Sequence, residues 1–146
     1  MNEFEITTVI NRPPVEVFAA LLNFERAADW NPGTSRAQQL TDGPFQEGSK
    51  VRYEGKFLGR SYESTSECIR FEAGRSFVTK TISGPFLLEV ESILEESGPG
   101  TRLLSRYRGE SQGFFKLAEP VVVRLTKRQF ETANENFKEM LEAGLL

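Results

Sequence analysis

The sequence predicts a single α+β domain in which a curved antiparallel sheet of seven strands packs against one long helix at the carboxyl end. Between residues 34 and 112, short segments of alternating apolar and polar residues are separated by turns rich in glycine and proline, the pattern of consecutive hairpins. From residue 114 onward no glycine occurs until Gly144, and apolar residues recur mostly every three or four positions, as in an amphipathic helix. Strands and helices segregated in this way are typical of α+β domains.

The chain begins with one strand and two short helices. A strand is predicted over residues 3–10, where apolar and β-branched residues alternate. The prolines that follow suit the first turn of a helix, and the apolar spacing over residues 15–22 predicts that helix. A second short helix over residues 25–30 ends at the Asn-Pro-Gly segment 31–33, because proline disfavours helix at the residue before it.

Six further strands and the long helix complete the prediction. The strands are expected over residues 35–40, 50–58, 61–71, 76–82, 86–94 and 102–112. The helix begins near residue 114 or at Pro120, because a proline either starts a helix or kinks an early turn. The apolar stripe expected to face the sheet comprises Val122, Leu125, Phe130, Ala133 and Phe137. Glu139 and Glu142 oppose the helix dipole at the carboxyl end, so we expect the last turn to fray.

An internal cavity is expected between the helix and the sheet. One helix of about 10–12 Å diameter covers only part of a seven-stranded sheet. Alternation along three strands separates an apolar face with hydroxyl groups from a charged face, and the apolar face must point inward. This parity directs the following side chains toward the cavity: Tyr53, Phe57, Phe86, Leu88, Val90 and Tyr107.

The strand over residues 61–71 leaves two alternatives open. Tyr62, Ser64, Ser66 and Cys68 share one face, whereas Ile69 and Phe71 share the other. A bulge near Glu67 would bring both sets to the same side. Either the first face points inward and adds hydroxyl groups to the cavity, or it is an exposed polar face. Cys68 is interpreted as a small packing residue.

The composition excludes several kinds of chemistry. The chain has no histidine and one cysteine, so imidazole-based catalysis, a zinc site and a disulfide within the chain are excluded. We expect no metal and no cofactor. The net charge is -3 with no block of basic residues, so no nucleic-acid partner is expected.

No apolar run reaches the length of a membrane span, and the amino terminus does not have the pattern of a secretory signal. We therefore expect no stable membrane insertion, and we expect the protein to be cytoplasmic.

Five segments together resemble a known family. They are residues 10–18 (INRPPVEVF), 24–33 (FERAADWNPG), 100–103 (GTRL), 113–120 (GFFKLAEP) and 136–143 (NFKEMLEA). In this order and spacing they are similar to the SRPBCC superfamily, also called START-like or helix-grip proteins, and most to its polyketide cyclase/dehydrase-like branch. The resemblance covers residues 1–146 as one domain and implies the helix-grip fold with an internal cavity.

The resemblance also implies what the cavity holds. The expected function is binding of a small hydrophobic molecule that is lipid-like, aromatic or polyketide-like. One alternative is a cyclase/dehydrase-like enzyme in which a tyrosine donates a hydrogen bond to a substrate carbonyl, and another is a protein-interaction or chaperone-cofactor role. A homodimer is also compatible with the sequence. The family implies that Trp30 lies near the cavity entrance, and its alternative role is to pack the short helices on the sheet. The other candidate contacts are Phe77, Val122, Leu125 and Gln129.

Overall fold

All seven predicted strands are present and form one curved antiparallel sheet. The computed structural model describes residues 2–146, apart from the side chain of residue 114. The strands are β1 (Asn2–Ile10), β2 (Thr34–Gln39), β3 (Lys50–Phe57), β4 (Arg60–Glu72), β5 (Ser76–Ser83), β6 (Phe86–Ser97) and β7 (Gly100–Ser111). Their order across the sheet is β1-β7-β6-β5-β4-β3-β2. Strands β2 to β7 are thus consecutive hairpins, and β1 pairs with β7. The predicted fold class is confirmed.

The helices precede and follow these hairpins in the chain. They are α1 (Pro14–Leu21), a 3-10 turn (Phe24–Arg26), α2 (Ala27–Trp30), α3 (Phe114–Leu117) and α4 (Glu119–Glu142). The long helix α4 begins at Glu119, and Pro120 occupies its first turn, where a missing backbone N–H leaves no hydrogen bond unmade. Among the described residues, no helix combines the length and the hydropathy needed to cross a bilayer.

A packed core fills the space between the sheet and the carboxyl-terminal half of α4. Phe137 of α4 is fully buried (0% exposed) at its centre. The loop between β2 and β3 adds Phe45, whose ring centroid lies 4.9 Å from that of Phe24. The sequence analysis did not single out Phe45, because a loop has no periodicity that marks its inward residues. The core comprises Ile10, Val17, Phe18, Phe24, Ala27, Ala37, Phe45, Val51, Cys68, Phe77, Leu94, Leu103, Phe137 and Leu141.

Residues at both ends of β1 hold the two ends of α4. At the amino-terminal end of the helix, the Asn2 side-chain amide donates a hydrogen bond to Glu119 at 2.8 Å. At the carboxyl-terminal end, the Arg12 guanidinium donates to the carbonyl of Glu142 at 2.7 Å, which pairs a carbonyl that the helix itself leaves free. The backbone N–H of Asn11 donates to the Glu142 carboxylate at 2.7 Å. The carboxylate that opposes the helix dipole is therefore also the one that ties the last turn to β1.

A bulge in β4 resolves the question of which face points inward, and its position differs from the prediction. The extra residue lies between Cys68 and Arg70, opposite β5, so the bulge is at Ile69 and not near Glu67. Because the bulge reverses the alternation, Cys68 and Phe71 both reach the concave side, where Cys68 is buried and Phe71 packs against the core. Ile69 is turned outward and is 38% exposed. The face that carries Tyr62 is therefore the inward one.

The burial of Phe137 leads to a stability prediction. We expect Phe137→Ala to lower the free energy of unfolding by about 3–5 kcal/mol, because it removes a fully buried ring and leaves a cavity at the centre of the core. Urea unfolding followed by circular dichroism measures the change. Leu117→Ala is the control, since this side chain is 88% exposed and its loss is expected to change stability by less than about 0.5 kcal/mol. Equal effects of the two substitutions would contradict the assignment of the buried face.

The contacts of Glu142 lead to a prediction about pH. The Asn11 N–H and then the Lys138 ammonium hold the pKa of Glu142 below its ordinary value. A carboxyl group whose pKa is lowered by folding adds stability above its unfolded pKa of about 4.3 and loses that contribution as the pH falls through its folded pKa. Because the carboxylate is partly exposed, we expect Glu142→Gln to reduce stability by less than about 1 kcal/mol at neutral pH. The difference from the wild type should shrink below about pH 4, and a difference that stays constant in urea unfolding at acidic pH would contradict this account.

Candidate functional site

A cavity of about 240 Å³ lies between the concave face of the sheet and the amino-terminal half of α4. It begins where the packed core ends, because the core occupies the space beside the other half of the helix. The contribution of α4 to its wall runs from Val122 to Asn134. Strand parity directs the concave-face residues of β3 to β7 into the same space.

The cavity wall includes every sequence-predicted site residue except one. Those that line it are Trp30, Tyr53, Phe57, Tyr62, Ser66, Phe77, Phe86, Leu88, Val90, Tyr107, Val122 and Gln129. Leu125 is the exception: it is half-buried and does not line the cavity. Its place on the inward stripe of α4 is taken by Thr126, four residues after Val122. The predicted stripe was chosen from apolar residues only, whereas the residue that α4 directs into the cavity at this turn is Thr126.

Several aromatic rings close the cavity at the end formed by the end of β3, the start of β6 and α3. We call this the outer end. The ring centroid of Phe86 lies 4.6 Å from that of Phe115 and 5.4 Å from that of Phe57. Tyr62 packs edge-on against Phe86 at 5.5 Å. Phe115, on α3, does not itself line the cavity but packs against the lining ring of Phe86. These rings supply a broad apolar surface for a ligand.

A cluster of three rings forms the side of the cavity between β1 and α4. The ring of Tyr107 stacks on Phe130 (4.4 Å, 23°) and on Phe4 (4.8 Å, 20°), and the centroids of Phe4 and Phe130 are themselves 6.4 Å apart. The Tyr107 hydroxyl accepts a hydrogen bond from the buried amide of Asn134 at 3.4 Å. Burial raises the pKa of Tyr107, and the bonds from Asn134 and Ser105 oppose that rise. The Tyr107 oxygen is therefore already engaged by the protein.

The sequence analysis did not identify Phe4 and Asn134 as part of this wall. Phe4 could have been found, since it alternates with Ile6 and Thr8 along β1 and must share their inward face. Asn134 carried no such signal, because a polar residue on an amphipathic helix is normally assigned to the exposed side.

The end of the cavity nearest the core, which we call the inner end, contains Trp30 and Tyr53. Both side chains pack against the core cluster and also line the cavity. The Trp30 ring meets Phe137 edge-on at 5.0 Å. Tyr53 precedes Phe57 by four residues on β3, which is about 13 Å along a strand. Trp30 therefore packs its short helix onto the core, the second of its two predicted roles, and its side chain also lines the cavity.

The loop after Trp30 is fixed between α4 and the sheet. The Gln129 amide donates to the side-chain oxygen of Asn31 at 3.3 Å, and the same oxygen accepts the N–H of Gly33 at 3.1 Å. The Tyr62 hydroxyl donates to the carbonyl of Gly33 at 3.1 Å. That carbonyl sits against the α-carbon of Gly55, where the Cβ of any other residue would collide with it. Glycine is therefore required in the middle of β3 so that the loop can approach.

The wall is nearly free of charge. Among the described residues that line the cavity, Glu110 is the single carboxylate and no lysine or arginine is present. Glu110 is exposed, so its charge stays in water at the rim. The remaining polar groups are hydroxyls, amides and one indole N–H, which can donate or accept hydrogen bonds without carrying charge. Residues 2–146, as described, contain no cluster of three or more histidine, cysteine, aspartate or glutamate side chains arranged to hold a metal ion.

Known structures share this architecture. TTHA0849 from Thermus thermophilus superposes with a TM-score of 0.85 at 16% identity, over 98% of this chain and 99% of that one. The Zhui aromatase/cyclase from Streptomyces sp. R1128 has a TM-score of 0.73 at 17% identity, over 98% of this chain and 97% of that one. A START superfamily protein from Mycobacterium smegmatis has a TM-score of 0.70 at 16% identity, over 91% and 97%. At these identities the likeness shows the fold alone.

The comparison of sequences is more specific about ancestry. No curated protein sequence is detectably similar to this chain. The family model described as polyketide cyclase / dehydrase and lipid transport, however, matches residues 1–142, nearly the whole chain. The resemblance predicted from five short segments is thereby confirmed, and the chain belongs to the polyketide cyclase/dehydrase and lipid transport family.

Proposed function

We propose that this protein binds a small, uncharged, hydrophobic molecule in the cavity between the sheet and α4. The cavity itself is the observation that supports the proposal. Folded protein interiors keep few voids larger than a water molecule, whereas this one measures about 240 Å³. Its wall is mostly aromatic and aliphatic with a few hydroxyl and amide groups, which is the usual composition of a small-molecule site.

Binding is favoured over catalysis by the protonation chemistry of the wall. A cyclase or dehydrase needs a group that removes a proton from its substrate. Glu110 lies at the exposed rim, and the chain has no histidine. Burial raises the pKa values of Tyr53, Tyr62 and Tyr107, so these hydroxyls stay protonated near neutral pH. They are suited to holding a polar group of a ligand and not to acting as bases.

Filling the cavity provides the test of this proposal. The neutral dye N-phenyl-1-naphthylamine should bind and quench the emission of Trp30, which is the only tryptophan in the chain. Val90 lines the cavity, and we expect Val90→Phe to weaken dye binding at least about tenfold because the larger ring occupies the site. Ile82→Phe, on an exposed position of β5 (51% exposed), is the matched control and should leave the affinity unchanged. If Val90→Phe binds the dye as tightly as the wild type, the cavity is not the binding site.

The different hydrogen-bond states of two tyrosines give a second prediction. Removing the Tyr107 hydroxyl leaves the buried Asn134 amide without its partner, so Tyr107→Phe should lower the free energy of unfolding by about 1 kcal/mol. The Tyr53 hydroxyl has no hydrogen-bond partner among the described residues, so Tyr53→Phe should leave stability within about 0.5 kcal/mol of the wild type. Urea unfolding of both variants measures the difference, and a larger loss in Tyr53→Phe than in Tyr107→Phe would contradict the assignment.

A further inference from the structure

Two hydrogen-bond donors at the inner end of the cavity have no partner among the residues that the structure describes. The indole nitrogen of Trp30 is buried and finds no acceptor among the described residues. An indole N–H can only donate, and a buried donor left unpaired is unfavourable. The Tyr53 hydroxyl, on the facing strand β3, likewise makes no hydrogen bond within the described part of the chain. Both side chains line the cavity.

Several other polar side chains in the cavity wall already have partners within the protein. The Tyr62 hydroxyl donates to Gly33, and the Gln129 amide donates to Asn31. At the other side of the cavity, Asn134 donates to Tyr107, and the Thr81 hydroxyl both donates to and accepts from the backbone of Leu88. Trp30 Nε1 and the Tyr53 hydroxyl, in contrast, have no acceptor among the described residues, so an acceptor supplied from outside the chain would satisfy them.

We propose that the ligand is an uncharged, planar molecule with a carbonyl-type oxygen, and that Trp30 Nε1 and the Tyr53 hydroxyl donate hydrogen bonds to its acceptor group at the inner end. This inference rests on the proposed binding function and adds the chemical class and the orientation of the ligand. The absence of lysine and arginine from the described wall disfavours a carboxylate or phosphate, which would lose its hydration without gaining a counter-charge.

The remaining walls fix the direction in which such a molecule lies. The aromatic rings that line the outer end, Phe57 and Phe86, provide apolar surface and no hydrogen bonds from their side chains. The rings of Phe4, Tyr107 and Phe130 line the side. A planar ligand thus lies with its oxygen toward the core and its apolar edge toward the outer end.

A matched set of three probes tests the inference. Fluorene and 9-fluorenone have the same fused rings and differ in one position, a methylene group against a carbonyl group. Fluorene-9-carboxylate adds a negative charge to the same rings. Affinities are measured by equilibrium dialysis, which does not depend on tryptophan emission and so allows Trp30→Phe to be compared with Tyr53→Phe and the wild type. Fluorene serves as the control ligand for each variant, and thermal unfolding verifies that each variant is folded.

We expect the wild type to bind 9-fluorenone about tenfold more tightly than fluorene and to bind the carboxylate more weakly than either. Each variant should reduce the preference for 9-fluorenone over fluorene about three- to tenfold, the effect of one lost hydrogen bond. Equal affinities for 9-fluorenone and fluorene in the wild type, or an unchanged ratio in both variants, would overturn the donor assignment while leaving the binding function intact. Preferential binding of the carboxylate would overturn the uncharged class. If neither the three probes nor N-phenyl-1-naphthylamine bind, the proposed function fails together with this inference.

Discussion

The position of α4 across the concave face of the sheet determines both the core and the cavity. Burial of Phe137 and Leu141 anchors its carboxyl-terminal half, and Arg12 and Asn11 hold its last turn to the end of β1. A single helix cannot cover a seven-stranded sheet along its whole length. The amino-terminal half therefore lies over a space that no other element fills. Packing and binding are divided between the two halves of the same helix.

The polar groups of the cavity fall into two kinds with different consequences. Tyr62, Tyr107 and Asn134 make hydrogen bonds within the protein, so they shape the wall and stabilise it. Trp30 Nε1 and the Tyr53 hydroxyl make none with the described part of the chain. A group that the fold already satisfies offers less to a ligand than one that it leaves unpaired, because the ligand must compete with the existing partner. Chemical identity alone would have given all three tyrosines the same role.

Strand parity made most of the site predictable from the sequence, whereas features that depend on distant partners were not. In β3, β6 and β7, charged residues alternate with the apolar and tyrosine residues. Tyr53 and Tyr107 could therefore be assigned to the concave face without a structure. In β4 the predicted bulge was correct in kind but placed two residues early, because its register depends on the partner strand.

Leu125 was assigned to the cavity and Asn134 was not, since helical periodicity does not show which polar residue will meet a buried hydroxyl. Glu142 was expected to weaken the last turn of α4. Its stabilising contact with the Asn11 N–H was missed because the two residues lie 131 positions apart in the sequence.

The pairing of β1 with β7 has a consequence for synthesis of the chain. The first strand leaves the ribosome early, but its partner ends at Ser111 and the helix that packs behind it ends at Glu142. Until those residues emerge, β1 has no neighbour in the sheet and the hairpins from β2 to β6 have an open edge at β6. Exposed strand edges can pair with other chains, and contacts this distant in sequence slow folding. Nascent chains should therefore be most prone to aggregation after β6 and before β7 and α4 are made, and most dependent on chaperones at that stage.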